Sequence, residues 1–424
     1  MTVRRRAATL AVTATVLSAA AAPVAVAAPS PSPSPSVAQP SGLYGTKDPT
    51  YDGVWRQSLS FLAQRVEGVT PAKKSVDWLI AQQCANGAYA AYRADVSKPC
   101  DEKTVLDTNA TAVAVQAFVE VGGHRDTVNN SVRWLKSIQN EDGGWGYTAG
   151  APSDANSTSL VIGALARQGQ RIADITTPGG KTPYDALLAL AIPCGSKDGG
   201  AFAYQPDKAG KLAANADATA AAVLGTMGKG LAVGNNAAVK APSCHPGSDL
   251  TPEQAAQNGA HFLADALATS GHLDLAPMPG ATDSTPQPDI GNTADAVVAL
   301  SAAGHQDKAT KAVSWLKKNS AAWAEQNGPA AYAQLILAAH ATGADARDFG
   351  GVNLVDELNA TGPTPAAITT PDPSADTGYM PTEKDEVHSG DDVIGGVWWY
   401  VGIGLVVGAG VGFLISGRRK NQQL

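Results

Sequence analysis

The chain has 424 residues, enough for one large domain or two small ones. Its 31 basic and 38 acidic side chains leave a net charge of −7, with no basic block outside the termini. That balance argues against nucleic acid as a partner, because no positive field is available to neutralise phosphates.

The first residues read as an export signal. Arg4, Arg5 and Arg6 precede an apolar run over 7–22, and Ala25-Val26-Ala27 makes a small-residue cleavage site. Residues 1–28 are therefore expected to be a secretory signal peptide; the run is too short and alanine-rich for a membrane anchor. Residues 29–49 open on alternating proline and serine, a composition that favours extended polyproline II and serves as a spacer.

Residues 50–360 are built on a repeat. Its clearest copy starts at Trp134 and runs through Gln139, the glycine-rich turn around Trp145, and Asp154-Ala-Asn156-Ser-Thr158. It reads as an amphipathic helix, a turn, and a second helix capped near Asp154. Aligned on a Thr or small residue near the second helix's start, the related segments are Asp107-Thr-Asn109-Ala-Thr111, Asn215-Ala-Asp217-Ala-Thr219, Asp289-Ile-Gly-Asn292-Thr293 and Asn327-Gly-Pro329-Ala-Ala331. Each has an Asp or Asn four residues before its anchor, a natural N-cap whose oxygen accepts from the free amides of the first turn. Pro329 also suits a first turn.

Small-residue runs follow the caps, at 112–121, 160–166, 220–227, 294–303 and 330–339, and such helices suit burial on all sides. Amphipathic helices are expected between them at 71–83, 127–139, 183–192, 252–268 and 306–319, with Trp78, Trp134, Phe262 and Trp315 as core wedges. Segments 54–66 and 352–359 bring the total to about twelve helices with no strand pattern. The expected fold is all-α: an (α/α)6 toroid with small-residue helices inside and amphipathic ones outside. An open solenoid is the alternative, and the irregular loops and pair count favour closure.

The four cysteines all fall in this region. An even number in an exported chain suggests two disulfides, with three connectivities open. Cys84 with Cys100 and Cys194 with Cys244 is preferred, because each pair then braces one long loop. A zinc site on Cys244-His245 lacks its remaining ligands at usual spacings, so no metal is assigned. His124, His272, His305 and His340 fall at expected helix ends or turns, where capping and solvation account for them.

Residues 361–395 are rich in Pro, Thr, Ser and acidic side chains and read as a disordered linker. Residues 396–417 then hold an uncharged span long enough to cross a bilayer, with Trp398, Trp399 and Tyr400 at one interface. Arg418, Arg419 and Lys420 begin a basic tail, 418–424, that marks the cytoplasmic side. The expected protein is single-pass at the cell membrane, with its toroid outside. No Leu-Pro-x-Thr-Gly sorting motif precedes the span, which favours a retained helix over wall attachment. Gly404, Gly408 and Gly412 recur every four residues, a spacing that permits a homodimer or a membrane partner, although glycine is common in such helices.

The turn Gln139-Asn-Glu-Asp-Gly-Gly-Trp145-Gly146 resembles the QW repeat of squalene and hopene cyclases and the related prenyltransferase repeat. Residues 78–89 keep a degraded copy and Asp198-Gly-Gly-Ala-Phe202 only its turn; the resemblance spans roughly residues 50–360. It implies the toroid fold. Cyclases of this type protonate their substrate with a buried acid in D-x-D-D-T-A. Here Asn109 and Ala110 replace the second and third acids of one copy. In another, Asp217 holds the acid's position without its companions. The zinc ligands of prenyltransferases, the thioester motif of complement-type domains and nucleophile signatures are also missing, so no catalytic residue is assigned and the enzyme question stays open. The segment from Asp107 to Phe118 resembles the inner helices of the transcobalamin and intrinsic-factor α/α domain, which implies a ligand at the toroid mouth.

If the caps share one end of the inner ring, Asp107, Asn109, Asp154, Asn156, Asn215, Asp217, Asp289 and Asn292 converge there, beside helix N-termini that supply amide donors. Tyr89, Tyr92, Trp145, Tyr147, Phe202 and Tyr204 would add stacking surfaces, giving apolar walls with a few polar groups. Otherwise the caps serve their own helices and the aromatics pack the loops. The leading expectation is a membrane-tethered extracellular protein that binds a small molecule, a cobalamin-like cofactor or a polyketide-like or terpenoid ligand, and hands it to a transporter; the cofactor is unassigned. Its rivals are an isoprenoid-processing enzyme and a structural or adhesive surface module.

Overall fold

The computed structural model describes residues 40–234, 241–275 and 286–366. The expected signal peptide, membrane span and basic tail, and most of both linkers, lie outside the described residues. Among the described residues no helix is long and apolar enough to cross a membrane.

Small side chains set the architecture. Helices α1 (Gly53–Val66), α3 (Thr108–Val121), α5 (Ala155–Arg167), α7 (Ala216–Thr226), α9 (Ile290–Ala302) and α12 (Pro329–Thr342) are buried along most of their length. Ala, Thr, Ser and Gly on nearly every face let their backbones approach from both sides. Each packs on the next in that order, and α12 packs back on α1. A solenoid would leave its first and last repeats apart; here the contacts close a ring, the arrangement of an α-helical toroid.

The outer layer is α2 (Lys73–Ala81), α4 (Arg125–Ser137), α6 (Pro183–Leu188), α8 (Pro252–Ala268), α10 (Gln306–Asn319) and α13 (Leu354–Ala360). These helices bury one face only: on α4, Val128, Val132, Trp134 and Leu135 point inward. Trp134 is a buried wedge, whereas Trp78, Phe262 and Trp315 are partly buried against the same core.

Several expectations need correction. Helix α6 stops at Leu188, because the chain beyond it turns to bond a neighbouring hairpin: the Ile192 amide donates to the Ala201 carbonyl at 2.8 Å and the Ala203 amide to the Leu190 carbonyl at 2.9 Å. An unforeseen helix, α11 (Ala321–Asn327), precedes α12. Asn327 therefore caps nothing; its amide nitrogen donates back to the Trp323 carbonyl at 2.7 Å, and Gly328 at φ +78° starts α12 without a side-chain cap. The packed region also exceeds 50–360: Tyr44 is buried edge-on against Phe61, and the Ala366 amide donates to the Thr70 carbonyl at 3.0 Å.

Strands exist, but they are too short for an alternating pattern. β1 (Tyr89–Ala90) pairs antiparallel with β2 (Leu106–Asp107), β3 (Phe202–Ala203) with β4 (Ala214–Asn215), and β5 (Leu273–Asp274) with β6 (Pro288–Asp289). Each hairpin carries the chain from a turn after an outer helix to the cap of an inner one.

The repeat's anchor residue locks that junction. The Thr111 hydroxyl accepts the Tyr89 amide at 2.9 Å and donates to the Asp107 carbonyl at 2.7 Å. Thr158, Thr219 and Thr293 accept the amides of Trp145, Phe202 and Leu273 in the same way. The glycine-rich turn has its own reason. Gly143 sits at φ +93°, and a Cβ there would fall 2.1 Å from the Thr182 carbonyl oxygen at the start of α6. Only glycine allows both the conformation and the approach.

Both disulfides form as preferred, Cys84–Cys100 and Cys194–Cys244. The second uses up the Cys244 sulfur and so removes the zinc alternative.

Candidate functional site

The two ends of the ring differ. At the C-terminal ends of the inner helices, the segment after α7 crosses from side to side. The Leu231 amide donates to the Gln116 side chain on α3, Gly230 lies against Gly163 of α5, and Lys229 Nζ donates to the Ala302 carbonyl of α9 at 2.9 Å. Helices α3 and α9 face each other across the ring, so Leu231, Ala232 and Val233, all buried, span that end. The other end is the candidate mouth.

At the mouth the first row of polar residues serves the helices. Asp107, Asp154, Asn215 and Asp289 accept the amides of Ala110, Ser157, Ala218 and Asn292 at 2.8, 2.7, 2.9 and 3.0 Å. Their remaining capacity is largely taken too. Asp107 receives the Tyr147 hydroxyl. Asp154 receives the Ser157 hydroxyl at 2.8 Å and the Tyr204 hydroxyl. Asp289 receives the Asn292 amide nitrogen at 2.7 Å.

The second row, Asn109, Asn156 and Asp217, lies two residues past the caps; in α9 that place is Gly291, and Asn292 follows it. Asn156 and Asp217 meet across the α5–α7 seam, the Asn156 amide nitrogen donating to Asp217 Oδ2 at 2.7 Å. They are 8% and 3% exposed. Among the described residues, Asn109 Oδ1, Asn156 Oδ1, Asp217 Oδ1 and Asn292 Oδ1 have no hydrogen-bond partner although all are buried. Of the eight polar residues expected to converge, only Asn156 and Asp217 touch across two inner helices.

Burial governs the electrostatics. It raises the carboxyl of Asp154 to about 6 against the opposing hydrogen bonds from Ser157 and Tyr204. Asp217 also rises to about 6, first through burial and then through the charges of Asp289 and Asp154, with the Asn156 hydrogen bond opposing. Asp107 is raised by burial, with the Tyr147 and Ala110 bonds opposing. Both hydroxyls rise for the same reason, burial first and then the neighbouring carboxylate: Asp107 beside Tyr147, Asp154 beside Tyr204.

The aromatics divide into two sets. Tyr89, Trp145 and Phe202 are fully buried, and the Trp145 indole N–H donates to the Leu135 carbonyl at 2.7 Å. Trp145 is thus a loop-to-helix strut rather than a stacking surface, and its place in the binding set is withdrawn. Tyr92 stacks on Trp78 at 6.4 Å. Tyr147 and Tyr204 stay open, and they belong to a wider rim. The exposed large apolar side chains among the described residues are Tyr51, Val96, Val105, Tyr147, Tyr204 and Leu275, from 36% exposed at Tyr147 to 65% at Val105. All lie on loops that lead into the inner helices. Between α1 and α3, Tyr51, Val105 and Tyr147 of this rim border an open cavity of about 600 Å³, whose lining also includes Asp107, Arg93, Lys98 and Lys103. That volume suits a small organic molecule.

Sequence reasoning missed Asp295, a fully buried carboxyl on α9 that accepts from Gln334 of α12 at 3.1 Å. Its signal was a lone acid in an otherwise small and apolar run. Among the described residues no group of three or more His, Cys, Asp or Glu side chains gathers as a metal site.

Fold and site together define an α-helical toroid with one crossed end and one polar mouth ringed by apolar side chains. No protein-family profile matches the chain. A drimenyl diphosphate synthase of Streptomyces showdoensis is 38% identical over 110 residues, 24% of this chain and 19% of that protein. A drimenyl diphosphate synthase of Streptantibioticus cattleyicolor is 36% identical over 84 residues, 20% of this chain and 14% of that protein. The chain thus spans less than a fifth of the length of these curated relatives. Among solved structures, a wild-type glycosidase aligns with 73% of this chain and 93% of its own at a TM-score of 0.44 and 12% identity. A sugar epimerase from a ruminal bacterium aligns with 66% and 81% at 0.43 and 16%.

Proposed function

We propose that this chain is an (α/α)6 toroid that takes an apolar small molecule of the isoprenoid class at the mouth of its inner ring. The observation that carries this reading is the rim. The large apolar side chains left exposed lie on the loops that lead into the inner helices, and three of them, Tyr51, Val105 and Tyr147, border a cavity beside the buried Asp107. Exposed apolar patches with convergent polar groups mark ligand sites. The short similarity to two drimenyl diphosphate synthases favours a terpenoid over a cobalamin-like ligand. Export and a single membrane span remain part of the proposal, supported by residues 1–28 and 396–417 and by two disulfides that suit an oxidising compartment.

A second reading adds proton transfer. Asp217 is buried, sits near 6 and keeps one oxygen unpaired, which suits a general acid. In that step the Asp217 proton passes to an alkene carbon, the π pair forms the new C–H bond, and the carboxylate recovers a proton when the cation is quenched. Asn215 and Ala218 stand where a cyclase has further acids, and for this reason binding is placed first.

The test is native mass spectrometry of residues 29–366 with farnesyl and geranylgeranyl alcohols, amines and phosphates, followed by product analysis. Retention of an isoprenoid is expected. Failure to retain any would remove the proposal. Retention with no product in either the native chain or Asp217→Asn would remove only the catalytic reading.

A further inference from the structure

The second polar row says which head group this mouth accepts, and the inference rests on the ligand reading above. The relevant question is which donors and acceptors remain once the protein has satisfied itself. Most of the donors are spent, although among the described residues the Thr108 and Tyr89 hydroxyls stay unpaired on the α3 side. The Tyr147 and Tyr204 hydroxyls go to Asp107 and Asp154, and one first-turn amide goes to each of the four caps. The amide nitrogens of Asn156 and Asn292 go to Asp217 and Asp289.

Those last two bonds also fix orientation. A side-chain amide facing a carboxylate turns its nitrogen toward it, so its oxygen must point the other way. Asn156 Oδ1 and Asn292 Oδ1 are left as acceptors by this constraint, and Asp217 Oδ1 is an acceptor whenever the acid is ionised. All three are buried and have no partner among the described residues. Asn109 has no such neighbour to orient it and can present either atom.

Leaving a buried acceptor unpaired costs about 1–3 kcal/mol, so a ligand that supplies a donor recovers that cost. An anionic head at Asn156, Asp217 and Asn292 would instead meet oxygens and the negative charges of Asp154, Asp217 and Asp289; the basic side chains Arg93, Lys98 and Lys103 line the cavity between α1 and α3 and not this row. From this we infer that the ligand end reaching Asn156, Asp217 and Asn292 carries N–H or O–H donors and no negative charge: a primary ammonium or hydroxyl on an isoprenoid body. The rim holds the chain, and the second row selects the head.

Three probes with one body separate the possibilities: farnesylamine, farnesol and farnesyl phosphate, titrated calorimetrically into residues 29–366 near pH 7.5. The amine and the alcohol should each bind at least roughly tenfold more tightly than the phosphate. Asp217→Asn should weaken the amine severalfold more than the alcohol, because it removes charge while keeping shape; a thermal melt checks that the variant is folded. Phosphate binding as tight as alcohol and amine overturns the head-group inference and leaves the ligand reading intact. No binding of any probe overturns both.

Discussion

Asn156 of α5 donates to Asp217 of α7 at 2.7 Å, and among the described residues it is the one hydrogen bond between second-row side chains of adjacent inner helices at the mouth. It joins two residues 61 apart that occupy the same step of successive repeats. Each stands two residues after its cap, where the backbone amides are already served by Asp154 and Asn215. The repeat thus puts its capping groups in one row, while the next row pairs across the α5–α7 seam and, among the described residues, keeps one oxygen unpaired on each of Asn156 and Asp217.

Removing the donor should cost more than removing the pair. Asn156→Leu leaves the Asp217 carboxyl buried with no partner and should destabilise the protein by about 2–4 kcal/mol. Asn156→Leu combined with Asp217→Leu should recover part of that loss. Urea unfolding of the two variants measures the coupling, and equal destabilisation would show that the bond carries little.

The pH dependence follows from the sign of the shifts. Asp154 and Asp217 both rise to about 6 from 3.8, so the folded state holds more protons than the unfolded one between those values. Their contribution to stability is fully present below 3.8 and is lost as pH rises through 6. Asp185 and Asp207 are shifted downward by hydrogen bonds, from Thr182 and from the Lys211 and Ala209 amides, and act in the opposite sense at lower pH. Burial holds the His305 and His340 imidazoles down, and their contribution is lost as pH falls in the same window. Asp217→Asn should therefore lower the Tm at pH 5 relative to pH 7.5 by comparison with the native chain. A calorimetric series across this window decides it.

The glycine-rich turn makes a sharper contrast. Gly143 and Gly150 both have positive φ, +93° and +75°, but only Gly143 abuts backbone. Gly150→Ala should cost about 1 kcal/mol for the left-handed conformation alone. Gly143→Ala meets the Thr182 carbonyl as well and should cost about 3 kcal/mol or more. Equal losses in denaturant unfolding would mean that the close approach is readily relieved.

Much of this architecture was legible because the caps and small-residue runs recur. Asp107, Asp154, Asn215 and Asp289 cap their helices, α8 and α10 have the expected bounds, and the cysteines pair within the repeat register. Other features depend on contacts that no local pattern encodes. Helix α6 ends early because later residues take the Leu190 and Ile192 carbonyls just past it, through the Ala203 and Gly200 amides. Asn327 has the right type and spacing for a cap but closes a helix of its own. Trp145 has the composition of a stacking surface, and only the buried Leu135 carbonyl shows it to be a strut. The crossing segment at Leu231 has no motif at all. Its role comes from bridging helices on opposite sides of the ring.

The disulfides should differ in weight. Cys84–Cys100 closes a loop of separation 16 and Cys194–Cys244 one of 50. Restricting the longer loop removes more unfolded-state freedom, by about 1 kcal/mol in the chain-entropy treatment. Replacing Cys194 and Cys244 with Ala should lower stability by more than the same change at Cys84 and Cys100, as read by guanidinium unfolding. The Cys84–Cys100 variant should instead show its larger effect on ligand binding, since that bridge holds the loop carrying Arg93 and Val105 at the rim cavity.

The rim itself supplies the last test, because its side chains are expendable for folding. Val105 and Leu275 are 65% and 53% exposed and contribute little buried area, so Val105→Asp and Leu275→Asp should change stability by less than about 0.5 kcal/mol. If the rim holds the apolar body of a ligand, each substitution replaces favourable contact with a charge that must be desolvated. Isoprenoid binding should then weaken by roughly tenfold or more while the unfolding midpoint stays put. A distant exposed substitution, such as Lys318→Gln on α10, should change neither quantity. Val105→Asp and Leu275→Asp variants that bind as tightly as the native chain would separate the apolar rim from the ligand and return it to the status of an ordinary surface.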